Sequence, residues 1–334
     1  MKEKDILFFE LIRVAIGTQS QLSRIQTESE WGRLYKLAEK QSLLGICFAG
    51  LQNLGADADD GYEKIGIPEE VYFQWVGMAA QIQQRNEEIN QQCVELQAKL
   101  KADGFRNYIM KGQSNAALYG KLANLRQSGD IDVYLEGGLD KVLAYARTVG
   151  KTTGVNELEM HVKVFEDTEV EFHYRPFIMR NPWENRRLQA FFKSQEEACF
   201  ANKVVLANCG EICAPTMEFN LIHQLSHIRL HLFTEGVGMR QLMDYFFVLK
   251  ASRGVDTKIV QKAVKDLGLQ KFAAALMWVM QDVFGMDGTM VQILGVEPNE
   301  TDGQLLLEQV MTGGNFGRYD KDQNSRKKKA GYGL

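Results

Sequence analysis

Cysteine is scarce in this 334-residue chain, and its spacing shows no pairing. No two of the five cysteines form a Cys-x-x-Cys pair; they are Cys47, Cys93, Cys199, Cys209 and Cys213. An odd number of cysteines at irregular spacing is typical of reduced thiols rather than of a disulfide framework. We therefore expect a cytoplasmic protein.

Long apolar runs are absent as well. The longest, from Phe272 to Met280, is far shorter than the roughly 20 residues that a helix needs to cross a bilayer. The first residues, "MKEKDILFFELIRVAIG", carry mixed charge, and Glu10 and Arg13 interrupt the apolar pattern. This pattern predicts an amphipathic helix rather than a signal peptide, and we expect no membrane partner.

The chain also lacks a large excess of charge of one sign. Its 39 Lys and Arg residues stand against 43 Asp and Glu residues, which gives a net charge of −4. Nothing global therefore draws the protein to nucleic acid or to an anionic membrane. The basic segment 318–334 is more typical of a flexible, solvated tail than of a nucleic-acid-binding arm.

The remaining composition is that of a soluble globular protein, with 45% hydrophobic and 25% charged residues. Apolar residues recur at helical spacing before Gly104 and again beyond Pro182, whereas short alternating runs lie between them. This pattern predicts an α+β protein with a small mixed-sheet core and helical N- and C-terminal flanks. We expect four parts: a helical region at 1–100, an α/β core at 101–180, a second helical region at 181–317 and a basic flexible tail at 318–334.

One predicted strand contains two aspartates, in the segment "RQSGDIDVYLE" (Arg126–Glu136). In an extended chain Ile131 and Val133 point to one side, and Asp130 and Asp132 point to the other. Neighbouring carboxylates repel each other, and each is costly to desolvate alone. Something must therefore compensate these two acids.

A predicted β-hairpin supplies further acids. Its strands, "ELEMHVKVF" and "TEVEFHYRP", each place polar side chains on one face, namely Glu159, His161 and Lys163 on the first and Glu169, Glu171 and His173 on the second. If this hairpin lies beside the aspartate strand, the acids cluster. Mg²⁺ relieves such crowding because it prefers oxygen ligands, and two ions held by three carboxylates suit in-line displacement at phosphorus. The alternative is a sheet with one solvated face.

The segment before the aspartate strand has the features of a phosphate-binding turn. Gly112 allows close approach of the backbone, Ser114 can donate a hydrogen bond at a helix start, and Lys111 adds positive charge. A strand, a glycine turn into a helix and an acid-x-acid strand together favour binding of an anionic phosphate chain.

These segments together resemble a known family. "MKGQSNAALYGKLANLRQSGDIDVYLE" followed by "VEFHYRP" is similar to the polymerase-β-type nucleotidyltransferase superfamily and, more narrowly, to an uncharacterised bacterial nucleotidyltransferase family within it. "EGVGMRQLMDYFFVL" and "GGNFG" resemble the helical C-terminal part of the narrower family. The matching core positions are Lys111, Gly112, Tyr119, Arg126, Asp130, Asp132, Glu171 and His173.

The resemblance implies a Mg²⁺-dependent transferase that moves a nucleotidyl group from an NTP, such as ATP, to an unidentified acceptor and releases pyrophosphate. It implies that three catalytic acids hold two Mg²⁺ ions with the bound NTP, namely Asp130, Asp132 and Glu171. It implies that four residues bind the nucleotide, namely Lys111, Gly112, Ser114 and Arg126. His173 and Arg240 are further candidates for substrate contacts.

Two departures from the superfamily pattern leave other interpretations open. Gln113 stands where the superfamily favours Gly or Ser, and the interval from Gly112 to Asp130 is longer than is usual there. One alternative is a non-catalytic nucleotide-binding or interaction protein that retains the fold. Another is a metal-dependent hydrolase that uses a histidine-bearing helix.

That helix carries His223, His227 and His231 at i, i+4 and i+8. It lacks the Glu that a zinc protease carries after its first histidine, and no Cys or acid ligand lies nearby at recognisable spacing. We therefore expect packed or cleft-lining histidines and no zinc. In the next predicted helix Arg240 and Asp244, at i and i+4, could pair on the surface.

Overall fold

The computed structural model describes residues 3–24, 27–56 and 58–315. Within these ranges the protein is α+β, with fourteen α-helices, a five-stranded mixed sheet and a two-stranded hairpin. This confirms the fold class predicted from the sequence. The predicted tail at 318–334 lies outside the described residues. Over the described ranges, no helix combines the length and the apolar character needed to cross a membrane.

Five helices precede the sheet: α1 (Glu3–Ile16), α2 (Glu28–Lys40), α3 (Leu44–Asn53), α4 (Gly61–Lys64) and α5 (Glu69–Ala102). A capping box starts α2, because the Thr27 backbone N–H donates to Glu30 Oε2 at 2.9 Å. The long helix α5 spans two environments. Its Trp75 packs among the other helices, whereas Ile89 and Leu96 pack against the sheet.

The central sheet contains β1 (Asn107–Met110), β2 (Ile131–Leu135), β3 (Lys151–Thr153), β4 (Glu159–Lys163) and β5 (Val170–His173). Its order is β1-β2-β5-β4-β3, with β2 and β5 parallel and the other neighbours antiparallel. Between β1 and β2 lie α6 (Gly112–Ala116) and a 3-10 segment (Ala117–Leu125), and α7 (Gly138–Val149) follows β2. The aspartate strand and the β4–β5 hairpin are therefore confirmed.

The two faces of the sheet differ because side chains alternate along each strand. On one face Ile131, Val133 and Phe172 are buried with residues of α5 and α7 in an apolar cluster. On the other face Asp132 and Glu171 line a cavity. The apolar face fixes the register, and the register in turn places the acids.

Nine further elements follow β5: α8 (Pro182–Ala201), β6 (Lys203–Leu206), β7 (Gly210–Cys213), α9 (Met217–Thr234), α10 (Met239–Ala251), α11 (Thr257–Asp266), α12 (Gln270–Asp282), α13 (Gly288–Val291) and α14 (Glu300–Gly313). A 3-10 turn at Gln292–Leu294 separates α13 from α14. The β6–β7 hairpin interrupts a region expected to be helical. Its Leu206 and Ile212 join the apolar cluster beneath the sheet.

Helices from both flanks share a second apolar cluster. Trp31 of α2 and Trp75 of α5 are buried in it together with Tyr245 of α10 and Phe284 after α12. The N- and C-terminal helices therefore pack against each other, and α9 and α10 come to face the acidic side of the sheet.

Candidate active site

The centre of the site is a pair of carboxylates on adjacent parallel strands. In the β2–β5 register Asp132 lies directly beside Glu171, and Tyr134 lies beside His173. Side chains at paired positions share a face of the sheet, so the two carboxylates and the imidazole point into the same space. The predicted convergence of Asp132 and Glu171 is therefore found.

Asp132 is compensated by two cationic side chains. Lys111 Nζ donates to Asp132 Oδ1 at 2.8 Å, and His173 Nε2 donates to the same oxygen at 2.9 Å. Burial alone would raise the pKa of the Asp132 carboxyl, but the Lys111 charge and the His173 hydrogen bond hold it well below its usual value. Within the described residues Asp132 Oδ2 accepts no hydrogen bond, and it remains available to a ligand.

His173 lies completely buried among three carboxylates. Its Nε2 is 2.9 Å from Asp132 Oδ1, 3.2 Å from Glu159 Oε2 and 3.5 Å from Glu171 Oε2. Burial opposes its charged form, yet the hydrogen bonds to Asp132 and Glu171 raise the pKa of His173 to about 9. The surrounding carboxylates therefore favour the imidazolium form of the ring, whose Nε2 lies between the acids.

Lys111 reaches Asp132 from a strained turn. The residue has φ 47° and ψ −140°, in a region that non-glycine residues seldom adopt, and Gly112 follows with φ 33°. The turn aims the Lys111 ammonium at the acids. Burial opposes the charged amine, but Asp132 and Glu171 raise the pKa of Lys111 above its ordinary value.

Glu171 belongs to two groups of side chains that could hold a metal ion. In the first, ligand atoms of Asp132, Glu171 and His173 lie within 4.8 Å of one another, and in the second those of Glu159, His161 and Glu171 do. Burial raises the pKa of Glu171 to about 7, and the charges of Asp132 and Glu159 act in the same direction. Crowded carboxylates of this kind fit a hard divalent cation, which would favour their ionised form.

Asp130 lies on the wall of the same cavity but in neither of those two groups. It precedes β2, and charges of both signs affect the pKa of its carboxyl. Burial and the negative charge of Asp132 raise the pKa of Asp130, whereas the positive charges of Lys111 and Arg240 act to lower it. The structure thus brings two of the three predicted acids into direct proximity and places the third beside them.

The cavity has a volume of about 500 Å³. One wall is the acidic face of the sheet. The opposite wall comes from α9 and α10 and includes Gln224, His227, His231, Arg240 and Asp244. Gly112 and Arg126 border the cavity as well, so most of the predicted site residues meet around one space.

Two residues of the predicted phosphate-binding turn have other contacts. Ser114 is buried, and its hydroxyl donates to the Lys111 carbonyl at 2.7 Å. Gln113 is also buried, and its amide points to α5, where it donates to Asn90 Oδ1 at 2.5 Å. Neither side chain lines the cavity. The role of Ser114 in phosphate binding stays a prediction.

Arg126 is held by a carboxylate that the sequence did not connect with it. Arg126 Nε donates to Asp244 Oδ1 at 2.7 Å and Nη2 donates to Asp244 Oδ2 at 2.8 Å. The Tyr119 hydroxyl donates to Asp244 Oδ1 at 2.6 Å. Asp244 is therefore buried in an ion pair with Arg126 rather than lying on a helix surface. Arg240 Nη1 donates to the Gln127 carbonyl at 2.7 Å.

The three histidines of α9 occupy different surroundings. His223 is buried, its Nε2 donates to the Pro176 carbonyl at 3.1 Å, and burial lowers its pKa to about 3. His227 and His231 line the cavity, and His231 Nδ1 lies 3.2 Å from Glu235 Oε2. Across the described part of the chain, neither group of potential metal ligands includes any of the three.

Glu159 and His161 also line the cavity, although the sequence analysis placed them only on a polar strand face and not among the site residues. They lie opposite His173 and Glu171 in the β4–β5 register. The available signal is a repeated Glu-x-His pattern, at Glu159–His161 and again at Glu171–His173. In an antiparallel pair this repeat sets each Glu across from a His.

Comparison with protein families agrees with this arrangement. A family model described as an uncharacterised nucleotidyltransferase matches residues 27–285, which is most of the chain. The protein belongs to this nucleotidyltransferase family, as the sequence resemblance predicted. Comparisons with curated proteins and with solved structures find no match. Membership of the polymerase-β-type superfamily and a bacterial origin stay predictions.

Proposed function

We propose that this protein is a cytoplasmic, Mg²⁺-dependent enzyme that transfers a nucleotidyl group from an NTP to an acceptor hydroxyl or phosphate and releases pyrophosphate. Family membership supports nucleotidyl transfer in general. The observation that carries the specific proposal is the pairing of Asp132 with Glu171 on parallel strands, beside a lysine-bearing turn and around a cavity of about 500 Å³.

The donor set suits the proposed metal. Asp132 and Glu171 offer oxygen ligands within 4.8 Å, and Asp130 lines the same cavity. Asp132 Oδ2 faces no described donor, so it can bind a cation while Oδ1 keeps its two hydrogen bonds. Bound Mg²⁺ would neutralise triphosphate charge and polarise the phosphorus that is attacked. Two ions, held by Asp130, Asp132 and Glu171, are expected with bound NTP.

The protein's own groups then have separate tasks. Lys111 and the Gly112 backbone would bind the phosphates, since Lys111 already presents its ammonium to the cavity. Glu171, as a carboxylate beside Asp132 in the cavity, would accept the proton of the acceptor hydroxyl. His173 would hold Asp132 in place, and Arg240 would contact the substrate from α10.

A second candidate function is nucleotide binding without catalysis. It is favoured by the ion pairs of Lys111 and His173 with Asp132, which balance the charge of this carboxylate with protein groups. The side chain of Gln113, at the position where the resembled superfamily has Gly or Ser, points into the protein interior and offers nothing to a phosphate.

Product analysis separates the two functions. Each of the four NTPs, labelled at the α or the γ phosphate, is incubated with the protein, Mg²⁺ and a fractionated cell extract that supplies acceptors. Transfer predicts α label in a new product and γ label in pyrophosphate, with neither from Asp132→Asn. Nucleotide binding by calorimetry without any labelled product would support the non-catalytic function. Release of γ label as orthophosphate by the purified protein and Mg²⁺, without extract, would contradict both.

A further inference from the structure

The segment that leads into the aspartate strand has no regular structure of its own. Residues 127–130 belong to neither helix nor strand, yet they carry the chain from the 3-10 segment to Asp130 and Asp132. A short irregular segment next to a catalytic acid needs external contacts to hold its geometry.

Three helices supply these contacts. From α5, Asn86 Nδ2 donates to the Arg126 carbonyl at 2.7 Å. From the start of α3, the Leu44 N–H donates to Gln127 Oε1 at 2.9 Å. From α10, Arg240 donates to the Gln127 carbonyl at 2.7 Å. The backbone at 126–127 is thus tied to both helical flanks.

The fourth contact is an ion pair, and both of its side chains are buried. The side chains of Arg126 and Asp244 are 5% and 8% exposed. Asp244 accepts three hydrogen bonds, two from Arg126 and one from Tyr119. A third nitrogen of Arg126, Nη1, donates to Ser128 Oγ at 2.8 Å and so ties the guanidinium to the segment itself.

A buried ion pair contributes little net stability, because the desolvation of both charges offsets their attraction. Such a pair is better explained by its effect on local structure. Here it holds in place the segment that ends in Asp130. The Asp130 carbonyl also lies against Gly112, where an added Cβ would be 3.5 Å away. The position of this segment therefore determines where Asp130 lies and how far it is from the predicted phosphate-binding turn at Gly112.

We infer that Asp244 is a positioning residue, which holds Arg126 and thereby fixes residues 126–130 so that Asp130 can act with Asp132. The inference rests on the proposed function, since it concerns the same acids. In this role Arg126 supports the acid-bearing segment from the helical side. Asp244 lines the same cavity, and both of its oxygens are engaged by Arg126.

Asp244→Asn tests the inference, because it keeps the shape of the side chain and removes its charge. Glu196→Gln is the matched control. Glu196 is also a buried carboxylate that accepts a tyrosine hydroxyl, Tyr134 at 2.8 Å, but no hydrogen bond or ion pair links it to residues 126–130. Both variants are compared with the wild type at a temperature where all three are folded.

The first readout is trypsin cleavage after Arg126, followed by mass spectrometry of the new end at Gln127 in metal-free protein. We expect cleavage to be at least about tenfold faster in Asp244→Asn than in the control, because the peptide bond is released locally. The second readout is the affinity for Mn²⁺, measured from the electron paramagnetic resonance signal of free ion. We expect a loss of about 10- to 100-fold in Asp244→Asn only.

Equal cleavage rates in the two variants would overturn the inference. If wild-type protein binds no Mn²⁺ while cleavage after Arg126 still rises in Asp244→Asn, the positioning role stands and the proposed metal site fails. If Asp244→Asn does not fold, Tyr119→Phe replaces it, because that variant removes one of the three hydrogen bonds to Asp244. It must then show the same two changes at smaller size, and unchanged values would count against the inference.

Discussion

Asp132 and Asp244 are both buried carboxylates held by basic side chains, but their oxygens are used differently. In Asp132 one oxygen accepts both hydrogen bonds, and no described donor reaches the other. In Asp244 both oxygens are occupied, by Tyr119 and by two nitrogens of Arg126. Both carboxylates line the cavity, but one with an oxygen that accepts no hydrogen bond suits ligand binding, whereas one with hydrogen bonds to both oxygens suits structure.

The pKa directions alone do not separate these roles. Burial would raise the pKa of both carboxyls, yet cationic partners lower both, through Lys111 and His173 at Asp132 and through Arg126 at Asp244. The difference lies in hydrogen-bond geometry. A strongly perturbed carboxyl becomes a candidate for chemistry only where part of it is left open to a substrate.

The largest expected effect on stability is that of Asp244→Ala. The substitution leaves the Arg126 guanidinium buried without its counter-ion. We expect the free energy of unfolding to fall by about 3 to 5 kcal/mol, measured by urea denaturation. A loss below about 1 kcal/mol would mean that the two carboxylates do not differ in the way described above.

Asp132→Asn should mainly affect function. We expect nucleotidyl transfer to fall at least about 100-fold, which is the upper end of the effects found for residues that only orient metal ligands. Its free energy of unfolding should fall by only about 1 to 3 kcal/mol, because Lys111 and His173 lose a charged partner but keep an amide oxygen.

Thermal melts with and without Mg²⁺ and each NTP check this second prediction. Tyr134→Phe is the control, since Tyr134 lies on the same strand but its hydroxyl donates to Glu196, which is not one of the three proposed metal ligands. An identical ligand-induced shift in wild type and Asp132→Asn would show that Asp132 is not part of a nucleotide and metal site.

Tyr119→Phe should have a smaller effect on stability. It removes one hydroxyl from Asp244 Oδ1, while Arg126 Nε still donates to that oxygen. We expect a loss of about 1 kcal/mol in the free energy of unfolding. A loss as large as that of Asp244→Ala would show that the hydroxyl, rather than the ion pair, maintains this cluster.

The last prediction concerns zinc, which we do not expect the α9 histidines to bind. His223 Nε2 already donates to a carbonyl, and neither group of potential metal ligands among the described residues includes His223, His227 or His231. Elemental analysis of protein purified without chelator should therefore find no stoichiometric zinc. One tightly held zinc per chain would contradict this and would reopen the hydrolase interpretation.

Local patterns predicted the parts of the site that lie on strands. Alternation in β2 and β5 placed Asp132 and Glu171 away from the apolar face, and the tight connection between β4 and β5 indicated their pairing. The β6–β7 hairpin was missed because its strands have four residues each, and neither shows a regular alternation of polar and apolar residues.

Contacts between distant parts of the chain could not be predicted in this way. Asp244 lies 118 residues from Arg126, and no periodicity joins them. The i and i+4 spacing pointed only to Arg240, whereas the buried side of α10 faces the 126–130 segment and both Asp244 oxygens accept hydrogen bonds from Arg126. Spacing along one helix predicts only the pairs within that helix, whereas an ion pair such as Arg126–Asp244 depends on how the helix packs against the rest of the chain.

The parallel pairing of β2 with β5 also bears on the order in which the chain folds. A short loop joins β4 to β5, whereas α7, β3 and β4 separate β2 from β5 in the chain. Chain entropy makes this long closure slower than formation of the hairpin. Asp132 and Glu171 should therefore come together late in refolding, after Glu159, His161 and Glu171 have already met in the hairpin. The cavity wall formed by Asp132 and Glu171 is therefore complete only when β2 has paired with β5.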